Sequence, residues 1–322
     1  MPKNNTILKL VLFAAGLVVI IIAPLVIKNR FMQNTMILIF MYAVLAQAWN
    51  IMGGYTGLIS VGQAAFFGVG AYVSSFLLSK YGVNPWLGML AGGLLTGAFG
   101  VLVGLPFCRL RGRYFAIAMM ALGEVMRILF SNWEFVGAAR GIQQPIKPES
   151  LLNFQFHTTK IPYYYIIAAL FLLVTGLVYW LERSRTGFYF RAIRENDEVA
   201  AAMGIDRTKY KLIAIGLSAA FTAMAGSFLA QYSLYVEPEY VFAEAISVTI
   251  AMVAVFGGIG NVAGPLLGAL VLVPLSEYTR GALGGAGRGI DLLIYGALIV
   301  LFCVYEPSGM MGLWRRVRSR AR

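Results

Sequence analysis

Residues 31–79 read FMQNTMILIFMYAVLAQAWNIMGGYTGLISVGQAAFFGVGAYVSSFLLS, 49 positions without an Asp, Glu, Lys or Arg. A helix that crosses the hydrocarbon core of a bilayer needs about 20 consecutive apolar residues, so this stretch predicts two spans and a short connection. The pattern recurs outward from it: Tyr81–Cys108, Leu212–Val236 and Ala245–Ser276 are also free of charge. Over all 322 residues, 59% are hydrophobic and 12% charged, where a soluble domain carries about 25% charged residues. These observations predict an all-α, polytopic membrane helix bundle, with residues 1–322 as a single transmembrane domain.

Breaking the apolar runs at charges, Pro and Gly predicts spans near 7–27, 35–52, 57–79, 86–108, 114–131, 162–181, 212–235 and 290–305. The stretch 244–275 is interrupted by Gly257, Gly258 and Gly260 and by the Gly264-Pro265 pair. Its pieces are short for upright crossings, so it reads as a re-entrant hairpin or a pair of short tilted helices, tolerated where protein or a water-filled cavity covers the break. The count is eight spans plus this broken pair, or ten. The apolar stretch after Lys9 is span-length and no small-residue cleavage site follows it, so a signal peptide is not the reading.

Twelve charges fall in residues 182–211 and five in the basic tail 315–322. An even count of spans puts both termini on one side. That side then receives 17 Lys and Arg and the other eight, which predicts cytoplasmic termini in an inner (plasma) membrane protein. The net charge of +12 therefore has its source at the ends of membrane segments, and nucleic-acid binding is not indicated. Cys108 and Cys303 both lie in apolar runs, and His157 has no Cys or His at ligand spacing. Neither a disulfide framework nor a metal site is expected. No nucleophile has a base at recognisable spacing and no Walker A sequence is present, so the chain itself is expected to be neither a catalyst nor a binder of ATP or another cofactor.

The charged loop holds a local structure. Asn196 is an N-cap, Asp197 and Glu198 place negative charge in a first turn, Ala200, Ala201 and Ala202 are the strongest helix formers, and Gly204 is a natural stop. The spacing predicts a helix from Asp197 to Met203, roughly 10 Å long at 1.5 Å per residue. So short a helix is marginal alone in water, and its position between two spans suits docking.

The form Glu198-Val-Ala-Ala-Ala-Met-Gly204 resembles the EAA-type loop of ABC importer permeases. Residues 57–72 (GLISVGQAAFFGVGAY), 112–127 (GRYFAIAMMALGEVMR), 191–215 and 257–277 (GGIGNVAGPLLGALVLVPLSE) extend the resemblance, in order, to the LivM-type permeases of branched-chain amino acid importers. That resemblance implies a cytoplasmic coupling helix contacting an ATPase through Arg194, Asn196, Glu198, Ala201 and Gly204. It also implies a second related permease chain, two ATPase subunits carrying ATP and Mg, and an extracytoplasmic solute-binding protein. Residues 136–145 (VGAARGIQQP) depart from the pattern, since these permeases more usually have a Gly-Gly pair there. The family also includes permeases for urea and other small polar solutes.

Four polar residues are pathway candidates. Ser60 and Gln63 stand three apart beside glycines, where a helix break offers polar groups to a solute or bonds to neighbouring helices. Glu124 and Arg127 are also three apart, on one face of an expected span, where they pair structurally or line a polar path. The rivals are a transporter or channel working without ATP, which would carry more intramembrane ionisable residues, and a membrane enzyme, which would cluster His, Asp or Cys at one face.

Overall fold

The computed structural model describes residues 20–27, 29–110, 112–282, 296–297 and 309–312. The expected span 290–305, the tail 315–322, Cys303 and most of the expected first span lie outside the described residues. Within them the chain is a helix bundle. The long helices are α1 (Arg30–Trp49), α2 (Gln63–Tyr81), α3 (Pro85–Phe107), α4 (Arg113–Asn132) and α5 (Ile161–Arg183). The short α6 (Arg185–Glu195) and α7 (Asp197–Ala202) follow, then α8 (Arg207–Ser233), the single turn α9 (Pro238–Val241), α10 (Glu244–Gly257) and α11 (Gly264–Ala282). Among the described residues six segments are long and apolar enough to cross a membrane: Arg30–Gly54, α3, α4, α5, α8 and Pro238–Gly257.

Helix limits follow local chemistry. Asn29, Asn84 and Asp206 cap α1, α3 and α8 through side-chain oxygens that accept backbone N–H bonds. Several boundaries differ from the sequence expectation, and α1 and α8 each start five residues before the expected spans 35–52 and 212–235. α1 runs on past Trp49 into a π turn, Asn50–Gly54, and α2 starts only at Gln63, so residues 55–62 are irregular rather than part of a span. The indole Nε1 of Trp49 donates to the Ser60 carbonyl at 2.7 Å, and Gly57 sits at φ +75°. Together they fold this stretch back along the end of α1.

Glycines decide how closely the helices meet. Gly93, Gly97, Gly100 and Gly104 form one stripe along α3, and a Cβ at any of them would press on α8 at Met224, Ala220, Ala219 and Leu212 in turn. The descending order shows the two helices running antiparallel. Across the α2–α8 contact, a Cβ on Gly70 would lie 2.3 Å from the Ala223 carbonyl oxygen, and one on Gly226 would lie 2.0 Å from that of Phe67. Between helices in lipid, close packing of this kind takes the place of the hydrophobic drive that operates in water. The expected broken pair is a tight helical hairpin. Gly257, Gly264 and Gly268 bring α10 and α11 into backbone contact, while α9 extends the outer end of α10 and α11 continues to Ala282, beyond the limit expected.

The face opposite α6 and α7 is capped by residues 133–160 and 234–243. Two 3-10 turns, Glu134–Val136 and Ala138–Arg140, lead into β1 (Ile142–Gln143), which pairs antiparallel with β2 (Tyr235–Val236) in the register Ile142 to Val236. Phe154 is buried under this cap, with ring centroids 4.7 Å from Trp86, 6.0 Å from Tyr163 and 6.1 Å from Phe228.

Candidate functional site

The residues expected to couple the chain to an ATPase gather on one segment. Ser184 starts α6, its Oγ accepting from Gly187 N at 3.2 Å, and Phe190 and Ile193 bury the inner side of that helix. The charged stretch had been expected to hold a single helix, so α6 is an addition. Asn196 is extended, with φ −157°, and its Oδ1 accepts from Glu198 N at 3.0 Å and Val199 N at 3.1 Å. It therefore ends one helix and caps the next. α7 closes with Gly204 N donating to Ala201 O and Ile205 N to Ala200 O, the paired bonds of a Schellman motif, with Gly204 at φ +82° as that motif requires.

Asp197 does more than supply charge to the first turn. Its Oδ2 accepts from Lys211 Nζ at 2.8 Å and lies 3.7 Å from Arg207 Nη1, so it straps α7 to the start of α8. Lys211 is buried, and its ion pair satisfies a charge that would otherwise be costly there. Glu198 and Ala201 lie on the exposed side beside Val199 and Met203, which are 54% and 65% exposed. Arg194 stands apart from that surface, because its guanidinium Nη1 donates to the Gly54 carbonyl at 2.6 Å.

Ser60 and Gln63 are fully buried at the break before α2. The Ser60 Oγ accepts from Gly62 N at 3.2 Å. The Gln63 amide bridges to α8, donating to Ser218 Oγ at 3.0 Å and accepting from Thr222 Oγ1 at 3.2 Å. Glu124 and Arg127 pair in a bidentate fork, at 2.6 and 2.9 Å, and Arg127 also binds Glu239 of α9. They sit on α4, where 28% of the most apolar window is buried, against 83% for Arg30–Gly54. Beside them lies a cavity of about 280 Å³ walled by Val61, Ile117, Met120 and Phe242 and edged by Glu124 and Glu244. Gly257, Gly258, Gly260, Gly264 and Pro265 lie in or next to the α10–α11 turn, which reaches the same face as α6. Among the described residues no group of three His, Cys, Asp or Glu could hold a metal ion.

The family model described as branched-chain amino acid transport system / permease component matches residues 31–303. The chain belongs to this permease family. It is similar to the high-affinity branched-chain amino acid transport system permease protein LivM of Escherichia coli K12, at 30% identity over 94% of this chain and 75% of that one. It is also similar to BraD of Pseudomonas aeruginosa, at 27% identity, and to LivH of E. coli K12, at 26%, each over 84% of this chain and 91% of the relative. No solved structure matches. In this permease the partners that sequence reasoning missed are Lys211 for Asp197, Glu239 for Arg127 and Gly54 for Arg194. The one available signal was Lys211 itself, the last charge before an uncharged span.

Proposed function

We propose that this permease is one of two membrane-spanning subunits of an ATP-driven importer of branched-chain amino acids, seated in the inner membrane with both termini and the α6–α7 segment in the cytoplasm. The observation that carries the reading is α7. Two turns of helix, capped at both ends and strapped from behind by Asp197 and Lys211, hold Val199 and Met203 out in water. Exposing apolar side chains on a rigid mount stabilises nothing in the chain alone, so the surface suits a partner, here the groove of an ATP-hydrolysing subunit. ATP and Mg belong to that partner, and an extracytoplasmic binding protein delivers the solute to the capped face.

The path runs along the open side of α4, at the interface with the second permease chain, past the Glu124–Arg127 pair and the cavity beside it, with Ser60 and Gln63 framing the break behind. Its apolar walls suit a branched side chain. The names of the relatives from E. coli and P. aeruginosa support the solute class. The test is uptake of labelled leucine by vesicles holding the permease with its partner permease, ATPases and binding protein. Uptake should require ATP inside and binding protein outside, and excess urea should not compete. Uptake driven by an ion gradient without ATP would overturn the reading.

A further inference from the structure

One side chain of the coupling segment turns away from the docking surface. Arg194, in the last turn of α6, reaches the Gly54 carbonyl, 140 positions away in the chain, at 2.6 Å. Gly54 closes the π turn that prolongs α1. Asn50 opens that turn, fully buried, and grips the α10–α11 connection from both sides of its amide: Nδ2 donates to Asn261 O at 3.0 Å, and Oδ1 accepts from Gly260 N at 2.8 Å. The fit leaves no slack. A Cβ on Gly54 would lie 1.8 Å from Asn50 Oδ1, and one on Gly260 would lie 2.4 Å from Arg194 Nη1. Gly260 itself sits at φ +71°. π turns are frequent at functional sites, and this one, at the end of α1, places the groups that make the junction.

Three segments distant in sequence thus meet at one polar joint: the end of α6, the end of α1 and the tip of the α10–α11 hairpin. Bonds from a guanidinium to a carbonyl are charge-assisted and stronger than neutral ones, and Asn50 is held by two more. A displacement of α6 and α7 therefore reaches α1 and the hairpin directly. We propose that this joint carries the motion of the coupling segment into the membrane, with Arg194 as a positioning residue that acts through Gly54, Gly260 and Asn50. The proposal rests on the importer reading. It separates two tasks within one segment: α7 docks, and Arg194 transmits.

The experiment uses the complete importer in vesicles and reads leucine imported per ATP hydrolysed. Arg194→Ala should keep its ATPase subunits through purification yet lose about tenfold or more of the imported leucine per ATP, the scale of one charge-assisted hydrogen bond. Arg194→Lys, which keeps a charged donor, should recover part of that loss. Asn50→Ala should lower the same ratio, and the double variant should be no worse than the poorer single one, because both act on one joint. Wild-type leucine per ATP in Arg194→Ala would overturn the proposal. So would loss of the ATPase subunits from that variant, which would place Arg194 in the docking surface. Absence of ATP-driven uptake by the wild-type complex would instead remove the importer reading, and it shows before any variant is compared.

Discussion

The α6–α7 segment and the cap over the opposite face both connect long helices, yet they hold their shape by different means. α6 and α7 are made of short-range signals, Ser184 and Asn196 as caps and Gly204 as a stop, fixed to the bundle by a few long polar bonds from Asp197 and Arg194. The cap is made of aromatic packing: Phe154 among Trp86, Tyr163 and Phe228 on one side, and Phe130 against Phe242 and Tyr72 on the other. The first arrangement places a surface accurately at little cost to the rest of the fold. The second ties distant parts of the chain together, so damage to it is felt globally.

The largest effect expected from this contrast is on the cap. Phe154→Ala should lower stability by about 3–5 kcal/mol, the range for emptying a buried aromatic site, and a thermal melt in detergent should show it. Gly204→Val should act the opposite way. Its left-handed backbone resists a β-branched residue, at a cost on the order of 1 kcal/mol or more. The melt should hardly move while ATP-driven uptake is lost. A Gly204→Val protein with wild-type uptake, or one that melts like Phe154→Ala, would erase the distinction between the two regions.

Two smaller effects sharpen it within the cap. Glu149 is exposed, and its carboxyl lies below the usual carboxylate range, first because the Thr158 hydroxyl donates to it and then because the backbone N–H groups of Thr158 and His157 do. A lowered folded value means that the tie is present above ordinary glutamate titration, ~4.3, and is lost as pH falls through the lowered value. Proteolysis within 147–158 should accelerate in acid, and Glu149→Gln should be cut faster already at neutral pH. Finally, Ala138 has φ +46°, in the left-handed region that favours glycine. Ala138→Gly should raise the melting temperature slightly, by relief of up to about 1 kcal/mol of strain. A lower melting temperature would count against strain there.

Legibility in the sequence follows the same division. The limits of α3, α4 and α7 agree with the sequence expectation to about one residue, because charges, Pro85, Asn196 and Gly204 mark them locally. The Glu124–Arg127 pair was visible for the same reason, lying three apart on one helix. α6 was missed although Gly187, Phe190 and Ile193 recur every third position, because its charges drew it into the loop reading. Most contacts between elements left no local trace: Arg194 with Gly54, Asn50 with Gly260, and the pairing of β1 with β2. A break at Ser60 and Gln63 was expected, but its extent was hidden, since an uncharged run says nothing about a backbone turned by Gly57 and fastened by Trp49.

The glycine stripe of α3 and the backbone contacts between α2 and α8 have a mechanical meaning. Where main chain lies against main chain, as α2 and α8 do at Gly70 and Gly226, or against Ala219 and Ala220, which have no rotamers, nothing between the helices can rearrange, and sliding would drive carbonyls into Cα atoms. These three helices therefore form a stiff beam. Any cycle that opened the molecule first to one side and then to the other would swing this beam as a unit. The α10–α11 hairpin, with Gly257, Gly264 and Gly268 set against main chain, is a second such unit, and the bending falls between the two.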